Sequence, residues 1–363
     1  ITAYRWWNWD PANDNDSIGL PVLTVGQISN RQQQFSQEVR LASDGDQRLS
    51  YVVGAYYFWQ IVEGEGRTAF GSAAADWNLP TVPAVLGAAA VNGFAYENRT
   101  DPETKSYAAF GQSVWEIADA WDLTFGLRYT DEQKDVVSRF SNTAPANACA
   151  AALTRPIPAA AQSAICAAHA DPAFDNLTTR QSRSESRWGG TFKAAYRFNP
   201  DFMAYASYAS SHKSGGFNLD RSRAGLGVAE PDTSFDAETV EAYELGFKST
   251  LLDNSLLLNA AAFDQTFEDF QLNTYTGVAF LVASIPEVTS RGVDADVLWR
   301  TPVEGLDLNG GLTYAETQYG DFTPTASAFT RLPNSRLSFA PLWSSTASAT
   351  YERPVGAGLL FRA

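Results

Sequence analysis

LTFGLRYT, residues 123–130, decides the fold. Leu123, Phe125, Leu127 and Tyr129 fall on one side of an extended chain, and Thr124, Gly126, Arg128 and Thr130 on the other. Strict period-two alternation is the mark of a strand with one apolar and one polar face. The same pattern recurs in QFSQEVRLA (34–42), RGVDADVLWR (291–300), LDLNGGLTY (306–314) and WSSTASATY (343–351). The alternating runs extend over about 10–14 residues, against a usual strand of about 5–6. That is the length a tilted strand needs to cross a bilayer. About 13 such strands can be counted.

The connections between the runs alternate in length. Short polar turns lie near Asp44-Gly45-Asp46, Ala118-Asp119-Ala120, Asn199-Pro200-Asp201, Leu252-Asp253-Asn254, Glu304-Gly305 and Pro354-Val355-Gly356. Long segments are expected near 10–33, 63–104, 140–184, 214–237, 272–289 and 317–341. Short turns at one end and long loops at the other are the pattern of an outer-membrane barrel. A soluble β-sandwich has no reason to sort its loops this way. The fold class is therefore all-β, a transmembrane antiparallel β-barrel.

Composition agrees. The chain of 363 residues is 13% aromatic and only 18% charged, with 10 Trp, 15 Tyr and 22 Phe. Aromatic rings gather near strand ends, at Trp6, Trp7 and Trp9, at Tyr56, Tyr57 and Trp59, and at Trp115 and Trp121. Such rings suit a membrane interface. A net charge of −15 argues against a nucleic-acid partner, which calls for a basic face. ITAYRWWNWD already reads as the middle of a strand, so an internal piece of a longer precursor is expected.

YASYASSHKSGGFN, 205–218, is a strand that leaves the membrane through a double glycine. Gly215 and Gly216 allow backbone angles closed to other residues. A phosphate loop would need a helix after them, and none is legible.

Several phrases resemble the TonB-dependent outer-membrane receptors. They are FSQEVRLAS (35–43) with YVVGAYYF after it, AAFGQSVWEIADAWDLTFGLRYTDEQK (108–134), MAYASYASSHKSGGFN (203–218), ETVEAYELGFKSTLLDNSLLLNAAAF (238–263) and SRGVDADVLWRTPVEGLDLNGGLTY (290–314). Their order and spacing cover most of the chain. His212 departs from the pattern, standing where the family more often has an aromatic before K-S-G-G. The resemblance implies a barrel of about 22 strands with a plugged lumen, of which this chain supplies about 13 strands and no plug. It implies capture of a scarce bulky nutrient such as a ferric siderophore, energised by the TonB–ExbB–ExbD complex through the plug. The implied setting is the outer membrane of a Gram-negative bacterium, among lipid and lipopolysaccharide. The alternative is a passive porin-like channel.

Candidate site residues follow from the alternation. Glu38, Arg40, Arg128, Asp294, Asp296 and Asn309 lie opposite the apolar stripe and are candidates for the lumen wall. Trp6, Trp7, Trp9, Tyr208, His212, Lys213 and Tyr275 lie near the outer strand ends and are candidates to meet a ligand. Cys149 and Cys166 stand close together in an otherwise cysteine-free chain, which suggests a loop disulfide. Asp10, Asp14 and Asp16 crowd one loop, but their order does not match a calcium loop, and no metal or cofactor is expected. His169 and His212 are the two histidines, and neither sits in a catalytic motif, so no enzyme activity is expected.

Overall fold

A computed structural model describes residues 1–11, 18–44, 47–78, 80, 82–144, 154, 176–219, 232–275, 280–324, 332–356 and 358–363. The strands are β1 (Thr2–Trp9), β2 (Leu23–Ala42), β3 (Leu49–Phe70), β4 (Ala95–Ala118), β5 (Trp121–Ala144), β6 (Leu177–Asn199), β7 (Phe202–Lys213), β8 (Gly216–Phe217), β9 (Ser234–Phe235), β10 (Glu238–Leu251), β11 (Leu256–Tyr275), β12 (Phe280–Arg300), β13 (Leu306–Tyr319), β14 (Trp343–Gly356) and β15 (Leu359–Arg362). Two short helices, α1 (Ala74–Asn78) and α2 (Ala84–Val91), lie between β3 and β4. Thirteen strands form one antiparallel sheet in the order β1-β2-β3-β4-β5-β6-β7-β10-β11-β12-β13-β14-β15. Among the described residues the strand β8 pairs with β9, in a small sheet of its own.

Directly paired residues point to the same side of an antiparallel sheet, so the register sorts the side chains onto two faces. One row runs Leu49, Trp115, Leu123, Ala194, Ala206, Leu245, Ala262, Val293, Tyr314, Trp343. The next row carries Tyr51, Phe125, Phe192, Tyr208 and Tyr243. Rings on this face stack across strands, Phe125 on Phe192 at 5.0 Å, Tyr129 on Trp188 at 4.9 Å and Tyr314 on Trp343 at 4.8 Å. Leu127, Leu245, Val39 and Trp188 are more than half exposed there. An apolar face of this extent left open on the outside is a lipid-facing belt. The other face is polar and is the inner one.

The strands run further than the alternation indicates. Seven of them have 20–24 residues. Much of 23–33, 63–70, 95–104 and 177–184 is strand. The described residues of 272–289, expected as a long loop, are strand, because β11 reaches Tyr275 and β12 starts at Phe280. Beyond the lipid, a ribbon needs no apolar stripe. Its backbone ladder closes regardless, and cross-strand ion pairs decorate it. Arg99 bridges Glu65 at 2.7 Å and Asp101 at 3.3 Å, and Arg139 reaches Asp101 at 2.8 Å. The β11–β12 ribbon is held instead by a cluster of Ile285, Val288 and Tyr319, packed by Phe270, Leu272, Phe322, Leu332 and Leu337.

The turns at the opposite end stay short. Asp119-Ala120 and Pro200-Asp201 connect neighbouring strands directly. Leu252, Asp253 and Asn254 close the β10–β11 turn with three successive positive φ angles of 52°, 54° and 66°. The 71–94 connection is itself folded, with Phe70, Ala74, Val82, Val91 and Phe94 as its core.

Candidate functional site

The six polar candidates share the inner face. Arg40 pairs in register through Gly54 and Phe110 to Arg128. Glu38 is two residues from Arg40 and bonds to it at 3.3 Å. The Arg128 guanidinium lies over the rings of Tyr56 and Phe110, at 5.7 and 5.8 Å, and its Nε donates to Thr130. Asp294 accepts a hydroxyl bond from Thr313, and Asp296 accepts from the Asn259 amide at 2.9 Å. Asn309 stands opposite Leu298 and Ser348. The face carries two groups rather than one cluster: Glu38, Arg40 and Arg128 on β2–β5, and Asp294, Asp296 and Asn309 on β12–β13.

The rim candidates divide between the faces. Trp6 opposes Gln33 on the outer face, whereas Trp7 and Trp9 oppose Gln32 and Asn30 on the inner one. The Trp7 indole donates to the Gln32 side chain. Tyr208 lies on the outer belt, its ring 5.1 Å from Tyr243 and its hydroxyl bonded to Glu241 at 3.0 Å. It belongs with the lipid-facing aromatics, because three residues of strand turn the face over and Tyr205 takes the inner side, bonding Glu244 at 2.6 Å. His212 opposes Thr239 and Lys213 opposes Glu238 at the end of β7. Among the described residues the buried His212 Nδ1 has no partner. Tyr275 ends β11 opposite Phe280. Cys149, Cys166, His169, Asp14 and Asp16 lie outside the described residues, whereas Asp10 accepts a bond from Gln27 at 3.2 Å.

The double glycine has a specific neighbour. β7 and β10 have 12 and 14 residues, between a β6 of 23 and a β11 of 20. Pairing of β6 with β7 ends at Gly190–Ser210, and pairing of β10 with β11 ends at Thr239–Glu268. The upper parts of β5–β6 and β11–β12 therefore stand as two arms with a notch between them. The segments that leave β7 and enter β10 fold into this notch. Gly215 donates its N–H to Glu185 at 2.9 Å, and its carbonyl accepts from Lys134 Nζ at 2.7 Å. A Cβ on Gly215 would lie 2.5 Å from the Arg183 guanidinium carbon. The glycine is there because the backbone comes that close to the inner wall.

The sequence marks this place by its glycines but not by its anchors. Gln271 donates through Nε2 to the carbonyls of Ser214 and Asp236, at 3.0 and 2.9 Å, and more weakly to Lys213 at 3.4 Å. Asn218 pairs with both backbone groups of Val282, at 2.7 and 3.1 Å. Gln181 does the same for the Thr233 N–H and hydroxyl, both at 2.9 Å. Lone amides carry no motif, so no sequence signal could have found them. Asp232 sits where the segment returns, its carboxylate accepting from Ser234. The Ser234 hydroxyl and N–H hold that carboxyl below the ordinary carboxylate range.

An inner face carrying charged and polar groups, an outer apolar belt and long connections opposite short turns describe part of the wall of a membrane barrel. The family model for the TonB-dependent receptor-like β-barrel matches residues 2–362. This chain belongs to that family. Its place is the outer membrane of a Gram-negative bacterium. The chain is similar to the ferric yersiniabactin uptake receptor of Yersinia pestis, with a TM-score of 0.68 and 16% identity over 97% of this chain and 44% of the receptor. It is also similar to the ferric-catecholate import receptor of E. coli K12, at 0.56 and 14% over 98% and 48%. The ferripyoverdine receptor of Pseudomonas aeruginosa gives 0.56 and 13%, over 98% and 41%. The TonB-dependent barrel of this chain thus spans less than half the length of each of these structures.

Proposed function

We propose that the chain is the barrel portion of an energised importer that captures a scarce, bulky nutrient at the cell surface and passes it to the periplasm. The observation that carries this reading is the inner wall, which carries Glu38, Arg40, Arg128, Asp294 and Asp296 and the charged row of β5–β6, beneath long connections with folded structure of their own. Cargo moves without covalent chemistry, so the wall's task is to bind weakly and offer hydrogen bonds. An iron chelate of siderophore type fits the reading, in keeping with the receptors it resembles in fold. Glu38, Arg40, Arg128, Asp294, Asp296 and Asn309 serve as lumen wall, and Trp7, Trp9 and Lys213 as rim groups facing cargo. The connections that face away from the short turns are extracellular.

In the described sheet β1 and β15 pair on one side only. Lipid tolerates no open sheet edge, so we infer further strands of the same protein, about 22 in all with a plugged lumen. TonB–ExbB–ExbD acts through that plug, and lipid and lipopolysaccharide surround the belt.

The test is uptake of ferric chelates by cells carrying the full-length receptor, with and without TonB, beside conductance of the purified receptor in a planar bilayer. Uptake that stops without TonB, with a silent bilayer, supports the importer. Steady open-channel conductance and TonB-independent uptake would replace it with a passive channel.

A further inference from the structure

The segment in the notch touches both arms at once. On the β5–β6 side it is held by Lys134, Gln181, Arg183 and Glu185, with Arg183 3.4 Å from Asp236. On the β11–β12 side it is held by Gln271 and by Asn218 on Val282. The core of the segment is the β8–β9 pair, in which Gly216 opposes Phe235 and Phe217 opposes Ser234. Asn218, Thr233 and Ala237 are buried there, and Gln271 is 9% exposed. Buried amide donors aimed at main-chain carbonyls specify one geometry, because any displacement leaves those carbonyls without donors. Without this segment the two arms share no backbone pairing above Gly190 and Glu268, since β7 parts from β6 at Ser210 and β10 from β11 at Thr239.

We propose that Ser214–Asn218 and Asp232–Asp236 form a fixed cross-brace that locks the β5–β6 arm to the β11–β12 arm. Gln271 and Asn218 are its positioning residues. The brace sets the width of the notch and holds that side of the rim open to one fixed extent, so the arms do not splay or close as separate flaps. Gln271 reads three main-chain carbonyls with one amide, so the lock depends on its donor and not on its bulk. The link between notch width and cargo size rests on the importer reading. The lock itself does not.

The test uses the full-length receptor in detergent, with Cys149 and Cys166 replaced by Ala and spin labels on Ser182→Cys and Asn273→Cys, one exposed site on each arm. Pulsed electron spin resonance measures the distance distribution between the arms. The parent should give one narrow distribution. Gln271→Glu keeps the shape and turns the donor into an acceptor facing carbonyls, and Asn218→Ala cuts the Val282 side. Each should widen the distribution at least twofold and speed amide exchange at Gly216, Phe217 and Phe235 tenfold or more. Arg99→Ala, on a remote ribbon, should leave it narrow. Heat-modifiable gel migration reports folding. If Gln271→Glu does not fold, Asn218→Ala carries the test. Faster exchange with an unchanged distance distribution would overturn the brace, because the segment would then be a passenger in the notch. None of these readouts depends on TonB or on cargo, so loss of energised uptake would sink the importer reading and leave the brace standing.

Discussion

Leu245 and Ala242 sit three residues apart on β10, and the register puts them on opposite faces. Leu245 lies in the outer row with Ala206 and Ala262, 64% exposed. Ala242 lies inside, between Ala209 and Gln265. Strand β10 has 14 residues. At about 3.4 Å per residue and a tilt near 40°, it rises about 35 Å, enough to cross a hydrocarbon core of about 30 Å. Leu245 is at its centre and so lies near the bilayer midplane. A lysine there should cost about 2–4 kcal/mol, the penalty for a cation on the lipid face at midplane depth. The same lysine at Ala242 enters a polar lumen one residue from Glu241 in sequence and two from the inner Glu244, and should cost less than about 1 kcal/mol. Guanidinium unfolding of the full-length receptor in phospholipid vesicles measures both. The expected result is a large downward shift of the midpoint for Leu245→Lys and almost none for Ala242→Lys, with unchanged slopes. Equal shifts, or the reverse order, would refute the assignment of the faces, and with it the inner position of every wall residue named above.

Other expectations are narrower. The Asp232 carboxyl is depressed by Ser234, so its contribution to the brace is complete above the ordinary value of about 3.9 and fades only as pH falls through the lower folded value; amide exchange at Phe217 and Phe235 should stay slow from pH 7 to 5 and quicken below about pH 4. Gly305 turns between β12 and β13 at φ +81°, and a Cβ there would collide with the Glu352 carbonyl; Gly305→Ala should lower the unfolding midpoint by the equivalent of more than about 1 kcal/mol, whereas Gly19→Ala, with open space around it, should not. Cys149 and Cys166 should form one intramolecular disulfide, seen as a linked peptide in non-reducing mass spectrometry, and two free thiols would end that expectation.

How far the sequence could be read follows from where lipid imposes a rule. Inside the membrane each strand must show apolar residues outward and polar residues inward, so LTFGLRYT and RGVDADVLWR could be assigned correctly without coordinates. Above the membrane the rule lapses. ENRTDPETK and TTRQSRSESR look like loop, yet they are strand, because cross-strand pairs such as Arg99 with Glu65 need no periodicity. In 265–289 the parity itself breaks. Asp269 takes φ +51°, and although the register runs on unchanged from Glu268–Glu287 to Phe270–Ile285, Phe267 and Val288 before it and Phe270 and Ile285 after it pack into one cluster, so the two sides follow different alternations. YASYAS hides a comparable trap. Two tyrosines three apart cannot share a face, and only the pairing of Tyr205 with Gly246 and of Tyr208 with Tyr243 tells which one meets lipid.

Net charge is the other quantity that structure redistributes. The chain as a whole carries −15, but the inner faces of β5 and β6 do not. Arg128, Lys134, Arg183, Arg187, Lys193 and Arg197 point inward there and outnumber Asp122, Glu132 and Glu185. Arg197 pairs with Asp122, Arg183 with Glu185 and Lys134 with Glu132, which leaves Arg128, Arg187 and Lys193 as cations without a pairing carboxylate in salt-bridge range among the described residues. Across the sheet, Asp294, Asp296 and Asp307 face inward on β12 and β13. The wall therefore carries a cationic stretch and an acidic stretch at different strands, not a uniform acidic lining. Local potential, rather than total charge, governs what a charged solute feels inside a narrow cleft. The brace is anchored at this cationic stretch, through Lys134 and Arg183. The same side chains that fix the rim thus shape the field at the entrance. Substitutions at Lys134 or Arg183 should consequently change rim geometry and ion preference together, whereas Lys193, which stacks on Tyr205 at 4.5 Å and touches no brace residue, should change ion preference alone.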